Sequence, residues 1–597
     1  MDTIPALLVS RLRPALASYG DVEAKVQSVN DPRFGDYQTN VAMLLAKAQK
    51  MNPRQVAQQI VDQLDIADLC LPAEIAGAGF INFRLRPEWL AARFSELAAD
   101  PKLGVPVPAQ PKKLVIDFSS PNVAKPMHVG HIRSTFLGES LARIAEFVGH
   151  STVRDNHIGD WGKQFGMLLV GWKTIRDAAA LNQDPIGELE RIYKAINKKI
   201  DEEKPLREAG QPAPVTDSVS DELVKLQSGD AENLGIWKEM IRLSQVQFDS
   251  VYQRLGVHFD VTLGESFYNP QLKSVVEDLR NRGIASESEG AWCVFSDGHS
   301  KPEEDPFLIK DKDGWRANPA MVEKSDGAAN YTTTDLATLE YRIKTWSPNE
   351  IVVITDGRQQ LHFRQLFAIF RRWHPEQVEN IKLAHVWFGS ILGEDGKPFK
   401  TRSGETVKLV ELLDEAEERA FTLVTEKNPA LSEDERREIA RIVGLGSVRY
   451  ADLLPNRQSD YVFSWDKMLS LQGNTAPYLQ NAYVRVRSIF RKAEGELGLT
   501  FDAQAPVSLS EPAELTLAKK LFQFGEVAPQ VLDDYRPNLL ANYLYELAST
   551  FHGFFESCPV LKSEGATRAS RLVLCDTTAR VLKQGLGLLG IEVPERM

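Results

Sequence analysis

Hydrophobic and polar residues alternate along one stretch of the chain in a way that predicts a β-α-β unit. An apolar run, Leu114–Phe118, is typical of a buried strand, and a polar loop with two prolines follows it. The next segment carries an apolar stripe at helical spacing, formed by Leu137, Leu141, Ile144 and Val148. A further extended segment begins near Thr152. This order predicts two parallel strands joined by a helix.

The first 108 residues predict a small α+β domain of their own. Asn52 and Pro53 form a typical helix start, because asparagine caps a helix and proline suits its first position. Residues 80–85 alternate between apolar and polar as a half-buried strand does. The proline-bearing stretch 100–111 then predicts a linker, since it can neither continue a helix nor join a central strand.

Residues 109–410 predict a catalytic domain with a parallel sheet that two insertions interrupt. The stretch 173–253 is charged with a helical pattern, and 285–325 holds short β-like pieces between acidic turns. The core pattern returns with an apolar strand at 351–354 and a helix at 360–373. A Rossmann-like nucleotide-binding sheet, split by these insertions, accounts for this order.

Beyond residue 410 the chain has a helical pattern, which predicts a connecting region at 411–464 and an all-α domain at 465–597. One helix of this last domain combines aromatic and basic side chains: Tyr478, Tyr483, Arg485, Arg487, Arg491 and Lys492. Such a face suits single-stranded RNA, because tyrosines stack on unpaired bases and arginines hold phosphates. The alternative is an ordinary solvated helix with its aromatic residues in the core, and the segment alone favours this alternative.

Composition narrows the class of protein. The chain has 597 residues, enough for roughly three or four domains, and is 43% hydrophobic and 25% charged. No apolar run approaches the roughly 20 residues that span a bilayer, and Arg11 and Arg13 interrupt the N-terminal apolar pattern. Four widely spaced cysteines predict neither a zinc site nor a disulfide framework. The net charge of −12 argues against indiscriminate nucleic-acid binding.

The loop after the first predicted strand carries candidate chemistry. His128 and His131 are three residues apart, and Gly130 lets a nucleotide approach the backbone. Donors at a helix N-terminus, beyond the end of a parallel strand, are suited to binding phosphates. Kinase-like and dinucleotide patterns are absent. The later loop at 397–402 is either a basic clamp for a leaving pyrophosphate or a lysine-rich surface loop.

These motifs, taken together, resemble class I aminoacyl-tRNA synthetases, and several longer strings resemble the arginyl-tRNA synthetases. The strings are SSPNVAKPMHVGHIRST, DNHIGDWGKQFGMLL, KSDGAANYTTTDLATLEYR, KPFKTRSGETVKLVELLDEA, SDYVFSWDKMLSLQGNTAPYLQNAYVRVRSI and LGLLGIEVPERM. They extend over nearly the whole chain, so the resemblance is far more specific than any one motif. The FGDYQTN stretch at 34–40 resembles that family's extra N-terminal domain, which is implicated in binding the corner of the tRNA.

The resemblance implies roles for individual residues. His128, Gly130 and His131 match the signature that binds ATP. Five positions match contacts to the arginine substrate: Asn122 for its α-amino group, Tyr331, Asp335 and Glu265 for its guanidinium, and Gln359. The chemistry of these residues agrees, because carboxylates recognise a planar cation in a bidentate arrangement.

The second class I signature departs from the usual Lys-Met-Ser-Lys. Phe399 to Arg402 occupies its place, which assigns Lys400 and Arg402 to ATP. Members of the family with a degenerate second signature are thought to use a lysine upstream of the first one, which is Lys125 here. We therefore expect Lys125 to stabilise the phosphates during activation.

The sequence thus predicts a cytoplasmic, monomeric arginine–tRNA ligase whose substrates are L-arginine, ATP with Mg²⁺ and tRNA(Arg), with no protein-bound zinc and no membrane partner. The resemblance implies that bound tRNA assists activation. The predicted RNA contacts are Tyr478, Tyr483, Arg485 and Arg487. Two alternatives stay open: another nucleotidylyl-transferring enzyme of the same fold, which would not need the region after Trp465, and a catalytically silent tRNA-binding protein, which would tolerate loss of the histidines.

Overall fold

The N-terminal part of the chain is a small α+β unit, as predicted. The structure is a computed structural model that describes residues 1–20, 22–29, 31–399 and 406–597. The elements of this unit are α1 (Ile4–Leu16), β1 (Val26–Ser28), β2 (Tyr37–Thr39), α2 (Val41–Gln49), α3 (Pro53–Val61), β3 (Glu74–Ala76), β4 (Phe80–Phe83) and α4 (Pro87–Ala99). The strands form one sheet in the order β1-β2-β4-β3. Asn52 caps α3 by accepting a hydrogen bond from the Arg54 backbone amide at 2.9 Å.

A longer α/β region follows. Its first half comprises β5 (Lys113–Asp117), α5 (Ile132–Val148), β6 (Ser151–Ile158), α6 (Lys163–Thr174), α7 (Ala178–Gln183), α8 (Pro185–Glu208), α9 (Pro214–Gln227), α10 (Ala231–Leu255), β7 (Val261–Gly264), α11 (Glu265–Tyr268) and α12 (Leu272–Asn281). The first predicted insertion is therefore helical, because α7 to α10 occupy most of 173–253.

The second half of this region holds the short strands of the second predicted insertion and then the return of the core. Its elements are β8 (Ser286–Ser288), β9 (Ala291–Val294), β10 (Leu308–Asp311), β11 (Gly314–Ala317), β12 (Ala320–Glu323), α13 (Tyr331–Trp346), β13 (Glu350–Asp356), α14 (Gln360–Trp373), α15 (Pro375–Val378), β14 (Lys382–Phe388) and β15 (Ile391–Leu392). The helix predicted at 360–373 is present with those bounds, whereas the strand predicted at 351–354 extends to 350–356.

The rest of the chain is almost entirely helical. Its elements are α16 (Leu409–Lys427), α17 (Glu433–Leu453), β16 (Tyr461–Val462), α18 (Trp465–Met468), α19 (Ala476–Leu497), α20 (Pro512–Phe522), α21 (Phe524–Gln530), α22 (Asn538–Ser557) and α23 (Gly565–Leu588). The predicted fold class is thus confirmed. The exact domain boundaries at 108, 410 and 464 stay predictions.

The central sheet positions the site. Its five strands pair in parallel in the order β14-β13-β5-β6-β7. Alternate residues of β5 face opposite sides: Ile116 packs in the cluster that includes α5, and Val115 packs in the cluster that includes α13 and α14. Both faces are therefore covered, and the chain order reverses between β5 and β13. A crevice opens at such a reversal, beyond the carboxyl ends of the two strands.

Candidate active site

The two histidines lie in a single turn of 3₁₀ helix between the β5 loop and α5. The His128 amide donates to His131 Nδ1 at 3.1 Å, and the Gly130 amide donates to His128 Nδ1 at 3.1 Å. Each neutral ring therefore carries its proton on Nε2, where it is available as a donor. A Cβ on residue 130 would lie 2.8 Å from the His128 ring, so only glycine fits here.

Burial keeps both rings neutral. Desolvation, with a smaller contribution from nearby His128, lowers the pKa of His131 to about 3. Desolvation also lowers the pKa of His128, helped by the positive charge of Lys125. The ring centroids are 4.0 Å apart. The pair therefore offers two neutral hydrogen-bond donors to an anion rather than two cations.

The loop between β5 and the histidines is held by the helical insertion. Ser119 and Ala124 have positive φ values of 71° and 63°, a conformation that costs free energy for residues with a Cβ. The Ser119 hydroxyl is 2.8 Å from the Tyr252 hydroxyl of α10, and the Ala124 amide donates to Ser244 Oγ of the same helix at 2.9 Å. Contacts from α10 thus stabilise a backbone that the loop sequence alone would disfavour.

Lys125, in the loop before the histidine turn, packs against a helix of the insertion. Its Nζ is 4.6 Å from the centroid of the Tyr193 ring in α8, a cation-π contact. Lys125 also lies close enough to His128 to lower the pKa of that ring. The structure therefore places this lysine beside the histidine turn.

The second predicted signature is only partly described. Lys400 and Arg402, which were predicted to bind ATP, lie outside the described residues. The backbone that follows them pairs with the histidine turn: the Val129 amide donates to the Val407 carbonyl at 3.0 Å. The Leu409 amide donates to the Met127 carbonyl at 2.9 Å.

Carboxylates gather at the same edge of the sheet. Glu265 follows β7, Asp160 follows β6, and Asp335 lies in the first turns of α13. Desolvation, together with the negative charges of Asp335 and Asp160, raises the pKa of Glu265 to about 8. Asp160 is 4% exposed and accepts hydrogen bonds from the Ser266 amide and hydroxyl at 2.8 and 2.6 Å. We call Glu265, Asp335 and Asp160 the acidic cluster.

A buried acid such as Glu265, whose ionisation is suppressed by burial and by neighbouring carboxylates, favours a cationic ligand, because a positive charge beside it relieves the repulsion. Asp335 already has one polar partner, since its Oδ2 lies 2.6 Å from His362 Nε2. His362 belongs to α14, which follows β13. The acidic cluster is thus assembled from the segments after β6 and β7 and from α13, and His362 of α14 contacts it.

The remaining predicted substrate contacts lie on, or next to, segments that carry this cluster or its partner His362. Tyr331 is 75% exposed at the start of α13, one turn before Asp335. Gln359 is exposed at the end of a 3₁₀ turn that leads into α14. Asn122 forms a backbone bridge with Gly159. The Asn122 side chain also packs on this glycine, since a Cβ added to Gly159 would lie 2.2 Å from Asn122 Oδ1. The structure therefore brings Asn122 next to the residue that precedes Asp160.

A buried arginine beneath the cluster was not predicted. Arg342 of α13 is 2% exposed, and its guanidinium contacts Asp117 Oδ2 at 2.7 Å and Asp155 Oδ2 at 2.8 Å. Asp117 ends β5, and Asp155 is its register partner on β6. Arg342 therefore ties α13, which carries Asp335, to the two central strands. An arginine within a charged helical pattern is predicted to be solvent-exposed. The sequence therefore does not indicate that Arg342 is buried against two aspartates.

A second unpredicted arginine joins α5 to the helical region. Arg133 is 1% exposed, and its Nε lies 3.2 Å from Asp452 Oδ1 of α17. Its Nη1 donates to the carbonyls of Gly389 and Ser459 at 2.8 and 3.0 Å. The residue therefore connects the helix of the histidine turn to the end of β14 and to the segment before β16.

The structure buries Tyr483, so its ring is not available to stack on an RNA base as predicted. Tyr483 is 3% exposed, and its hydroxyl donates to Glu595 Oε1 at 3.1 Å, so its ring belongs to the core. Arg487 is partly covered, with its Nε 3.7 Å from Glu595 Oε2. Helical periodicity alone could not show which face of α19 the C-terminal segment covers.

The other predicted RNA contacts remain accessible. Tyr478 is half-buried, with its hydroxyl 2.8 Å from His552 Nδ1 and its ring 5.5 Å from the Tyr545 ring. Arg485 is exposed and lies near enough to His552 to lower the pKa of that ring. These residues form an aromatic surface with a cation beside it.

Within residues 1–20, 22–29, 31–399 and 406–597, no group of three His, Cys, Asp or Glu side chains could hold a metal ion. Among the described helices, none combines the length and apolar character needed to cross a bilayer.

Comparisons with known proteins agree along the whole chain. Residues 95–465 match the family model "tRNA synthetases class I (R), catalytic domain". Residues 479–597 match "DALR anticodon binding domain", and residues 3–85 match "Arginyl tRNA synthetase N terminal domain". The chain is 46% identical to a protein of Laribacter hongkongensis named arginine–tRNA ligase, with complete coverage of both chains. It is 45% identical, with the same coverage, to one of that name from Chromobacterium violaceum.

Solved structures show the same similarity. The arginyl-tRNA synthetases of Thermus thermophilus and Plasmodium falciparum each match with a TM-score of 0.81 and 26% identity, and each comparison covers both chains completely.

Proposed function

This chain belongs to the arginyl-tRNA synthetases of class I, and we propose that its site joins L-arginine to tRNA(Arg) with ATP as the second substrate. Arginine and ATP give arginyl-adenylate and pyrophosphate, and the arginyl group then passes to the terminal adenosine of the tRNA. The observation that carries this proposal is the acidic cluster at the same carboxyl edge of the sheet as the histidine turn. It offers a cation site next to a phosphate site.

The histidine turn is the proposed ATP site. His128 and His131 are neutral rings with free Nε2 donors, and Gly130 exposes the backbone at the start of α5. Preorganised donors of this kind stabilise the charge that develops on the α-phosphate during attack, because they need no rearrangement. Lys400 and Arg402 remain proposed phosphate contacts from the sequence. Mg²⁺ enters as the ATP complex.

The acidic cluster is the proposed guanidinium site. Asp335 and Glu265 would each accept hydrogen bonds from the guanidinium, with Tyr331 and Gln359 beside them. Asn122 would contact the α-amino group, which puts the carboxylate of arginine toward the histidine turn. The attacking oxygen and the α-phosphate then meet between the ends of β5 and β13.

For tRNA we propose contacts at Tyr478, Arg485 and Arg487, and we withdraw Tyr483. The half-buried Tyr478 with its aromatic neighbours and the exposed Arg485 support base stacking and phosphate binding. We also propose that the protein acts as a monomer in the cytoplasm. Its four cysteines are unpaired, which suits a reducing compartment.

Aminoacylation of total tRNA with labelled arginine tests the proposed function directly. We expect arginine, and none of the other amino acids, to be transferred. Exchange of labelled pyrophosphate into ATP is expected to be much faster with tRNA than without it. Equal exchange rates would refute the need for tRNA, and the absence of arginylation would refute the function.

Lys125→Ala is expected to slow arginine activation by about a hundredfold, because an ammonium group beside the histidine turn would no longer neutralise the phosphates. The affinity for tRNA should change less than about twofold, since Lys125 contacts Tyr193 of α8 and is not among the proposed tRNA contacts on α19. Single-turnover formation of arginyl-adenylate measures the first effect, and filter binding measures the second. Lys344→Ala, whose side chain pairs with Glu340 by a 2.6 Å contact, is the control. A near-normal activation rate in Lys125→Ala would contradict the assignment.

The pH dependence of arginine binding follows from the acidic cluster. Glu265 has a pKa of about 8 in the free protein, so it is mostly protonated below that pH. Guanidinium binding favours the ionised carboxylate, and binding therefore releases a proton. We expect KM for arginine to fall by up to about tenfold per pH unit between pH 6 and 8, and then to level off. In Glu265→Gln this dependence should disappear, and a wild-type KM that is flat with pH would contradict the role of Glu265.

A further inference from the structure

Lys408 lies directly opposite His128 on the neighbouring backbone. The Val129 amide bonds to the Val407 carbonyl and the Leu409 amide bonds to the Met127 carbonyl, so the two hydrogen bonds flank the pair His128 and Lys408. This is the antiparallel arrangement in which the opposed residues are not themselves hydrogen-bonded. Their Cα atoms are then about 4.5 Å apart, and their side chains leave the same face of the ladder.

The Lys408 side chain is 42% exposed and only loosely engaged. Its Nζ lies 3.5 Å from Glu190 Oε2 of α8, and the other oxygen of that carboxylate is 2.8 Å from Lys194 Nζ. Half-exposed ion pairs of this kind contribute little free energy. A polyanion on the face of His128 can therefore displace Glu190 from Lys408.

The same face of α8 holds the other lysine of this region. Glu190 and Tyr193 are three residues apart on α8 and so lie on the same face of that helix. The Tyr193 ring makes the cation-π contact with Lys125. Lys125 and Lys408 thus approach the histidine turn from the loop before it and from the strand beside it. Both ammonium groups are held by one helix of the insertion.

We propose that Lys408 is a further phosphate-binding residue of the ATP site, which neutralises the charge of the leaving pyrophosphate. This inference rests on the proposed function. A carboxylate oxygen of arginine forms a bond to the α-phosphorus, and the bond from that phosphorus to the bridging oxygen breaks. The electron pair leaves with the pyrophosphate. Lys408 keeps its proton and supplies positive charge to the β- and γ-phosphates.

The experiment is pyrophosphate exchange with the full-length protein, arginine and tRNA, at varied ATP. In Lys408→Met we expect kcat/KM for ATP to fall about a hundredfold, while KM for arginine stays within about twofold. Lys408→Arg should retain most of the activity, because the charge is kept. A normal Lys408→Met rate, or a Lys408→Arg variant as slow as Lys408→Met, would overturn the proposal.

Two matched variants separate phosphate binding from a structural role of the ion pair. Lys194→Met removes the other lysine on the same carboxylate, and Glu190→Gln breaks the Lys408 pair while leaving Lys408 in place. Both should stay within about threefold of wild type. A loss in Glu190→Gln as large as in Lys408→Met would overturn the proposal. The wild-type rate with arginine reports separately on the proposed function, since only the ratio of variant to wild type bears on Lys408.

Discussion

Asp335→Asn is expected to reduce kcat/KM for arginine roughly a thousandfold. The substitution keeps the shape of the side chain but removes the charge that faces the guanidinium, and losing one partner of a desolvated charge pair costs about 4 kcal/mol. Glu265 remains, but its burial still opposes ionisation, and a single carboxylate is left where two faced the proposed guanidinium site. Steady-state pyrophosphate exchange at varied arginine measures the loss.

Selectivity should change in the same variant. Wild type should reject citrulline, the uncharged analogue of arginine, because it would leave the carboxylates without a cation. In Asp335→Asn the preference for arginine over citrulline should largely collapse. Glu340→Gln is the matched control on the same helix, since that carboxylate pairs with Lys344 outside the acidic cluster. An Asp335→Asn variant that keeps its preference would show that the guanidinium binds elsewhere.

Asp452→Ala is expected to lower the free energy of unfolding by about 3 to 5 kcal/mol. The variant leaves Arg133 buried without its counter-charge, and an uncompensated buried charge is strongly destabilising. Arg133 is 1% exposed, and its Nε lies 3.2 Å from Asp452 Oδ1 in the native protein. Because the guanidinium is buried, water cannot solvate its charge when the carboxylate is removed. The midpoint of urea unfolding, followed by circular dichroism, measures the change.

Two further variants test whether the uncompensated charge of Arg133 causes the loss of stability. Arg133→Met combined with Asp452→Leu removes both charges and fills the space with apolar groups, so it should regain most of the lost stability. Glu433→Gln, which affects an exposed pair with Arg437 on the same helix, should change the free energy of unfolding by less than about 1 kcal/mol. A double variant as unstable as Asp452→Ala would show that the hydrogen bonds of Arg133, rather than the charge pair, stabilise this contact.

Local features of the fold could be read from the sequence because their causes are local. The Asn52 cap, the helix at 360–373 and the turn with His128 and His131 depend on residues a few positions apart. The observed strand ends differ from the predicted ones by a residue or two, because pairing with neighbouring strands decides where a strand stops. The string matches identified the family for the same reason, since they compare residues in order.

Tertiary structure decided which polar residues are buried and which of them meet. Arg133 and Arg342 occur in helical patterns that predict exposed charges, yet each lies in the interior against carboxylates from distant segments. Tyr483 occurs in a pattern that fits a stacking face but favours a core position, and the C-terminal segment covers it. No local rule distinguishes these cases.

The candidate site combines both sources of information. The sequence by itself determined the family, the fold class and the identity of His128, Lys125 and the predicted arginine contacts. Only the tertiary structure decided that Glu265 is buried beside Asp335 and Asp160, which raises its pKa to about 8, and that Lys408 faces His128. The physical reason is that charge repulsion, desolvation and strand pairing depend on distances in space, and distant parts of the chain reach those distances only when the sheet has formed.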